Sequence, residues 1–375
     1  MPFNFDKPTH RRNTNSLKWD LKPENVLPAW VADMDFESPV EIREALQKLT
    51  DHQIYGYAWP PDELYEVIIE RLAKNHHWQI KKEWIVLLPG LVPGLHAAAR
   101  VMPDERANVM TSTPVYFYLF KAALSAGNST LEIPFIQENG LWKMDFETMK
   151  KELTPETGMY MLCNPHNPNG RVFSKEELLE LSRFCVENNL ILVSDEIHCD
   201  LIIDPSKQHI STASLNKEIE NQSITLLAPS KTWNIAGLGG SLAIIPNEDI
   251  RKRFQEACAG IMPHMNNWQI ETMKAAYTFG EPWRKELISY LKANHDYLLE
   301  EINKIPGLHM EPLESTYLAW ISCDHENPEE HLLKHGLAVS GGYQFHGKGY
   351  FRLNFGTQRA NLEKALEIIK KAFQK

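Results

Sequence analysis

The 375-residue chain has only five cysteines, Cys163, Cys185, Cys199, Cys258 and Cys323, odd in number, widely spaced and without a CxxC pair. That scarcity argues against a disulfide framework and a paired-thiolate zinc site, and it fits a reducing compartment. Nowhere does the chain approach the ~18 consecutive apolar residues that a membrane span requires. Met1 to Asp20 is polar and mixed in charge, with no apolar run of the signal-peptide kind. The cytoplasm is the expected location. Long basic runs are missing too: 39 Lys and Arg against 49 Asp and Glu leave a net charge of −10. The basic clusters are only short ones, such as Arg11-Arg12 and Arg251-Lys252-Arg253, so neither nucleic acid nor anionic membrane is an expected partner. His331 and His335 share a helical face without the glutamate of an HExxH motif, and His76-His77 stands alone, so no metal is expected.

What is present is an ordinary globular composition, 43% apolar and 23% charged. A chain of this length normally divides into two domains. Ser38-Pro39-Val40-Glu41 reads as a capping box opening a helix, with Pro28 to Phe36 as a non-helical approach segment before it. Trp84 to Leu88 reads as a strand, followed by a glycine turn and a helix through Leu95 to Val101. Asn108 to Met110 is a second strand. Met159 to Cys163 and Leu190 to Ser194 are strands joined by a helix that Ser174 and Glu177 cap, which implies a parallel crossover. Ser223 to Leu227 and Ser241 to Ile245 extend the same sheet. From about Pro282 the pattern changes to long helices with short strands at Thr316 to Ile321 and Tyr350 to Asn354. An amphipathic helix carrying Leu362, Leu366, Ile369 and Phe373 on one face ends the chain. The fold expected is α/β, with a large domain of mostly parallel central sheet over residues 40–281. A smaller α+β domain is expected from residues 1–39 and 282–375.

Ligands of open parallel sheets bind at the carboxyl ends of strands. Reading just beyond each expected strand gives Gly90, Tyr116, Asn167, Asp195 and Lys231. A lysine amine condenses with an aldehyde, a carboxylate keeps a pyridine nitrogen protonated, and a glycine turn opening a helix cradles phosphate. Taken together, the five residues suit a phosphorylated heteroaromatic aldehyde. Asp33 and Asp35 allow a paired-carboxylate reading or simple local capping.

The segments around these residues also carry a resemblance. WVADMDF (Trp30 to Phe36), YGY (Tyr55 to Tyr57), GLVPGL (Gly90 to Leu95), TPVY (Thr113 to Tyr116), CNPHNPNGR (Cys163 to Arg171), SDEIHCD (Ser194 to Asp200), SKTWNIAGL (Ser230 to Leu238) and RLNFGTQR (Arg352 to Arg359) occur in this order. The chain thereby resembles fold-type I pyridoxal phosphate enzymes of the aspartate aminotransferase superfamily. Within them it resembles the cystathionine β-lyase or C-S lyase branch, the MalY and cystalysin type. The resemblance implies pyridoxal 5'-phosphate as cofactor, a sulfur-containing amino acid as substrate and a homodimer with shared active sites. It implies Lys231 as the Schiff-base lysine and proton shuttle, Asp195 on the pyridine nitrogen, Tyr116 stacked on the ring, and Asn167 and His198 near the ring hydroxyl. Gly90, Leu91, Val92 and Ser230 would hold the phosphate, with Tyr57 arriving from a second subunit. Arg352 would clamp the substrate carboxylate, with Ala32 and Asn167 beside it.

Two positions depart from the common aminotransferase pattern. Gly239 stands where a phosphate-binding arginine is usual, and Asn169 replaces threonine in the NPTG turn. The favoured activity is α,β-elimination from a β-thio amino acid to thiol, pyruvate and ammonia. The same residues would serve an aminotransferase, and a cofactor-binding regulatory protein acting through a partner is the reading from a different class.

Overall fold

Seven strands from the middle of the chain form one sheet: β1 (Ile85–Leu88), β2 (Asn108–Thr113), β3 (Thr130–Pro134), β4 (Thr157–Cys163), β5 (Ile191–Asp195), β6 (Ser223–Leu227) and β7 (Ser241–Ile244). Their order across the sheet is β1-β7-β6-β5-β4-β2-β3. All neighbours from β6 through β3 run parallel, and only β7 runs against its neighbours. Every residue of β4, β5 and β6 is buried, the signature of strands covered on both faces. The computed structural model describes residues 3–374; Met1, Pro2 and Lys375, at the ends of the expected small domain, lie outside the described residues.

The crossover from β4 to β5 contains helix α1 (Lys175–Glu187). Its capping box is formed as the sequence implies, with Ser174 accepting from the Glu177 amide and Glu177 accepting from the Ser174 amide. The other expected capping box is not. The helix there begins at Val40 behind Pro39 with no side-chain cap, because the Ser38 hydroxyl donates instead to the Asn234 carbonyl, 3.1 Å away. A distant loop thus takes the serine that local pattern assigned to the helix.

A second, four-stranded antiparallel sheet comprises β8 (Leu308–Met310), β9 (Leu318–Cys323), β10 (Ser340–Gly341) and β11 (Tyr350–Asn354), in the order β8-β9-β11-β10. Strand β9 starts two residues later than expected. Thr316 sits at φ +72°, a left-handed conformation that no strand accommodates. The amino-terminal segment joins this part of the molecule: Leu27–Pro28 pairs in parallel with Leu337–Ala338. Phe5, Met34 and Phe36 share one apolar core with Leu287, Leu298, Phe351 and Leu366. The terminal helix Arg359–Phe373 buries Leu362, Leu366 and Ile369 and leaves Phe373 half-buried. No helix among the described residues is long and apolar enough to cross a membrane, and all five cysteines are unpaired.

Candidate active site

The carboxyl ends of the parallel strands open onto a cavity of about 440 Å³ between the two sheets. Gly90, Tyr116, Asn167, Asp195 and Lys231, read from the sequence as strand-end residues, all line it. So do Leu91, Val92, His198, Ser230, Ala32 and Arg352. Tyr57 does not; it is fully exposed. Two wider grooves, of about 710 and 750 Å³, lie elsewhere, and neither brings a lysine, an aspartate and an arginine together.

Lys231 follows β6 and donates from Nζ to the Ala32 carbonyl oxygen at 2.7 Å. Burial lowers its pKa to about 8; Asp33 and Asp195 oppose the shift and Arg352 reinforces it. A sizeable fraction of the amine is then neutral near physiological pH and nucleophilic. Asp195, the last residue of β5, is buried and accepts one bond, from the Ile197 amide to Oδ1 at 3.1 Å. Burial raises its pKa to about 7. A carboxylate so poorly compensated has a strong electrostatic preference for a cationic N–H partner.

Arg352, in β11, is buried, with no carboxylate among the described residues in an ion pair with it. It donates from Nη1 to Asn167 Oδ1 and from Nη2 to the Trp30 carbonyl, both at 3.0 Å. The guanidinium lies over the Phe345 ring at 4.7 Å, and burial lowers its pKa to about 10. It remains charged at neutral pH and suited to an incoming carboxylate. His198 is held neutral: burial, with Lys231 and Arg352 nearby, brings its pKa to about 3. Its imidazole therefore acts by hydrogen bonding, not as a cation. Tyr116 packs against Phe117 and Tyr118 at 4.8 and 5.6 Å. Its amide donates to the Asn167 carbonyl at 2.9 Å, which ties the two loops together. Burial and then Asp195 push the Tyr116 hydroxyl up, so it stays protonated.

The helix Leu91–Ala98 starts at Gly90, and Gly90, Leu91 and Val92 line the same cavity; first-turn N–H groups lack helical partners and attract anions. Gly239 explains why no arginine stands there. At φ +74° a side chain is strained, and a Cβ would lie 2.6 Å from the Pro89 carbonyl. The donor set as a whole fits a phosphorylated pyridine aldehyde: amine, carboxylate, aromatic face, neutral imidazole and helix amino terminus around one cavity.

Several supporting residues escaped the sequence reading. Asn354 Nδ2 donates to the carbonyls of Val31 and Asp33, each at 2.6 Å. Asn234 clasps the same segment, accepting from the Met34 amide and donating to the Met34 and Phe36 carbonyls. Tyr317 donates to the Ala32 carbonyl at 3.1 Å. Trp30 and Gln344 line the cavity. The signal lay in SKTWN and RLN, where the sequence points to Ser230, Lys231 and Arg352 but gives no reason to single out Asn234 and Asn354. The carboxylates of Asp33 and Asp35 are taken up by nearby cations instead of capping a helix. Arg11 bonds both, and Lys18 and Trp19 bond Asp35. Burial alone would push the Asp35 carboxyl up; Lys18, Trp19 and Arg11 bring it below the usual carboxylate range.

The family model for aminotransferase class I and II matches residues 31–369. The cystathionine beta-lyase PatB of Bacillus subtilis (strain 168) is 35% identical over 386 aligned residues, covering 99% of this chain and 100% of the relative. The crystal structure of OvoB is 38% identical with a TM-score of 0.97, covering 99% of each chain. That of cystalysin from Treponema denticola, which contains a pyridoxal 5'-phosphate cofactor, is 31% identical with a TM-score of 0.94, again covering 99% of each.

Proposed function

The chain belongs to the aminotransferase class I and II family, and from that premise we propose that it is a pyridoxal phosphate-dependent C-S β-lyase. It cleaves cystathionine, cysteine or a related L-amino acid, with water, to thiol, pyruvate and ammonia. The observation that carries this reading is the meeting of Lys231, Asp195 and Arg352 on one cavity, in a chain that aligns end to end with a relative named as a cystathionine beta-lyase and with a structure that contains pyridoxal 5'-phosphate.

Pyridoxal phosphate, when bound, supplies an aldehyde for an amine and a protonated ring that draws electrons from the substrate Cα. Lys231 would hold the aldehyde carbon at rest and, once released, take the proton from Cα. Its depressed pKa leaves the free amine able to accept that proton. Asp195 would hold the ring nitrogen proton, and Tyr116 and His198 would flank the ring. Leu91, Val92 and Ser230 would take the phosphate that Gly239 leaves without an arginine. Arg352, steadied by Asn167, would orient the substrate carboxylate so that the Cα proton faces Lys231.

The assay is direct. Cystathionine or cysteine incubated with the holoenzyme, without an added keto acid, should give a thiol (hydrogen sulfide from cysteine), pyruvate and ammonia in equal amounts. Turnover that depends strictly on a keto acid would replace the lyase reading with transamination. Lys231→Ala should lose the visible absorbance of lysine-bound cofactor and all turnover while keeping the far-UV spectrum; normal turnover in that variant would refute the role of Lys231. We further propose a homodimer in which Tyr57 reaches the neighbouring site, on the strength of its full exposure. A cytoplasmic location is proposed on the five unpaired thiols.

A further inference from the structure

Tyr317 is fully buried, absent from every motif above, and held in place by a strained turn. Thr316, immediately before it, is a buried β-branched residue at φ +72°, a conformation that persists only where surrounding contacts impose it and that clusters at functional sites. Those contacts are present. The Thr316 amide donates to the Leu201 carbonyl at 2.8 Å, and the Thr316 hydroxyl accepts from the Leu318 amide at 3.2 Å. Ser315 donates from its hydroxyl to the Gly170 carbonyl at 2.9 Å. The turn is therefore anchored from the large sheet's loops although it opens a strand of the small one.

This anchoring delivers the Tyr317 hydroxyl to the Ala32 carbonyl, 3.1 Å away, where Lys231 Nζ also donates at 2.7 Å. A carbonyl oxygen has two lone pairs, and here both have partners. The peptide is fixed on either side as well: Asn354 holds the Val31 and Asp33 carbonyls, and Arg352 holds that of Trp30. The Tyr317 ring meets His198 edge to face, with centroids 6.4 Å apart.

We infer that Tyr317 is a positioning residue for Lys231: its hydroxyl fixes the Ala32 carbonyl as the acceptor on which the released lysine amine rests. The inference depends on the cofactor role of Lys231 proposed above. An amine with one N–H held on Ala32 has its remaining bonds and lone pair confined to a narrow range of directions. Its nitrogen can then bond the aldehyde carbon, the two amine hydrogens, the one on Ala32 included, leaving with the aldehyde oxygen as water. Without the hydroxyl, the carbonyl and the amine share a wider range of positions, and fewer of them are reactive.

The test measures capture of pyridoxal phosphate by cofactor-stripped chain, followed by stopped-flow absorbance, in the parent and in Tyr317→Phe. Phenylalanine keeps the ring and its burial. Phe355→Leu, in the same core but not bonded to Ala32 through its side chain, controls for loosened packing. Tyr317→Phe should capture the cofactor about tenfold more slowly, since misplaced reacting groups lose rate steeply. With substrate, kcat should fall by a similar factor and KM change little; Phe355→Leu should lower thermal stability yet capture at the parental rate. Capture by Tyr317→Phe within about threefold of the parent, or an equal slowing in Phe355→Leu, would overturn the inference. Failure of the parent itself to capture pyridoxal phosphate would instead remove the cofactor role of Lys231, a separate outcome.

Discussion

Asp195 shows at the scale of one residue how a site is built against stability. Its carboxyl is buried with a single amide for company, and burial raises its pKa to about 7. In the unfolded chain the group loses its proton near 3.8. Between those values the folded state binds more protons than the unfolded one, so cofactor-free protein loses stability as pH rises from about 4 to 7. Cofactor-free Asp195→Asn should therefore match the parent near pH 4 and exceed it at pH 8 by up to a few kcal/mol. Thermal melts across that range check this, and an unchanged difference between the two pH values would contradict it. The same substitution should abolish most turnover, because a neutral amide lacks the charge that keeps a pyridine nitrogen protonated. Arg352 makes the complementary case. Lysine in its place keeps the charge but not the planar pair of donors, so Arg352→Lys should raise KM roughly tenfold or more, measured with any accepted substrate.

At the scale of elements, two loops do what no single strand or helix could. The loop after β6 carries Ser230, Lys231, Asn234 and Gly239 within ten residues, and each faces a different neighbour. Gly239 lets the backbone turn back at φ +74° beside the Pro89 carbonyl. Gly239→Ala should destabilise the fold by on the order of 2 kcal/mol, seen as a lower urea midpoint at unchanged slope, because it adds backbone strain and a steric clash. The amino-terminal segment 30–36 is the second loop. It is a run of backbone carbonyls and amides clasped by Asn234, Asn354, Arg352, Lys231 and Tyr317, with Asp33 and Asp35 tied to Arg11 and Lys18 beneath it. Its sequence looked like an approach to the site, and its backbone is one wall of it.

At the scale of the whole molecule, we propose domains at 40–281 and at 1–39 with 282–375, the site lying where they meet. If Tyr57 completes the neighbouring site, mixed dimers of Tyr57→Phe and Lys231→Ala chains will contain one site with both residues intact. Mixing and re-annealing the two variants should then restore activity above that of either alone; no gain would leave each site to its own chain. The sequence by itself determined six of the seven strands of the large sheet, all but the edge strand Thr130–Pro134, with the crossover helix cap and the residues that follow those strands, because hydrophobic periodicity and turn chemistry act over a few residues at a time. That was enough to bring Gly90, Tyr116, Asn167, Asp195 and Lys231 to one cavity. Only the tertiary structure decided that Ser38 serves Asn234 instead of capping its helix, that Thr316 delays a strand, and that Tyr317, Asn234 and Asn354 hold the amino-terminal wall. Those bonds join residues 196 to 323 positions apart, a separation at which no local pattern carries information and chain packing alone chooses the partner.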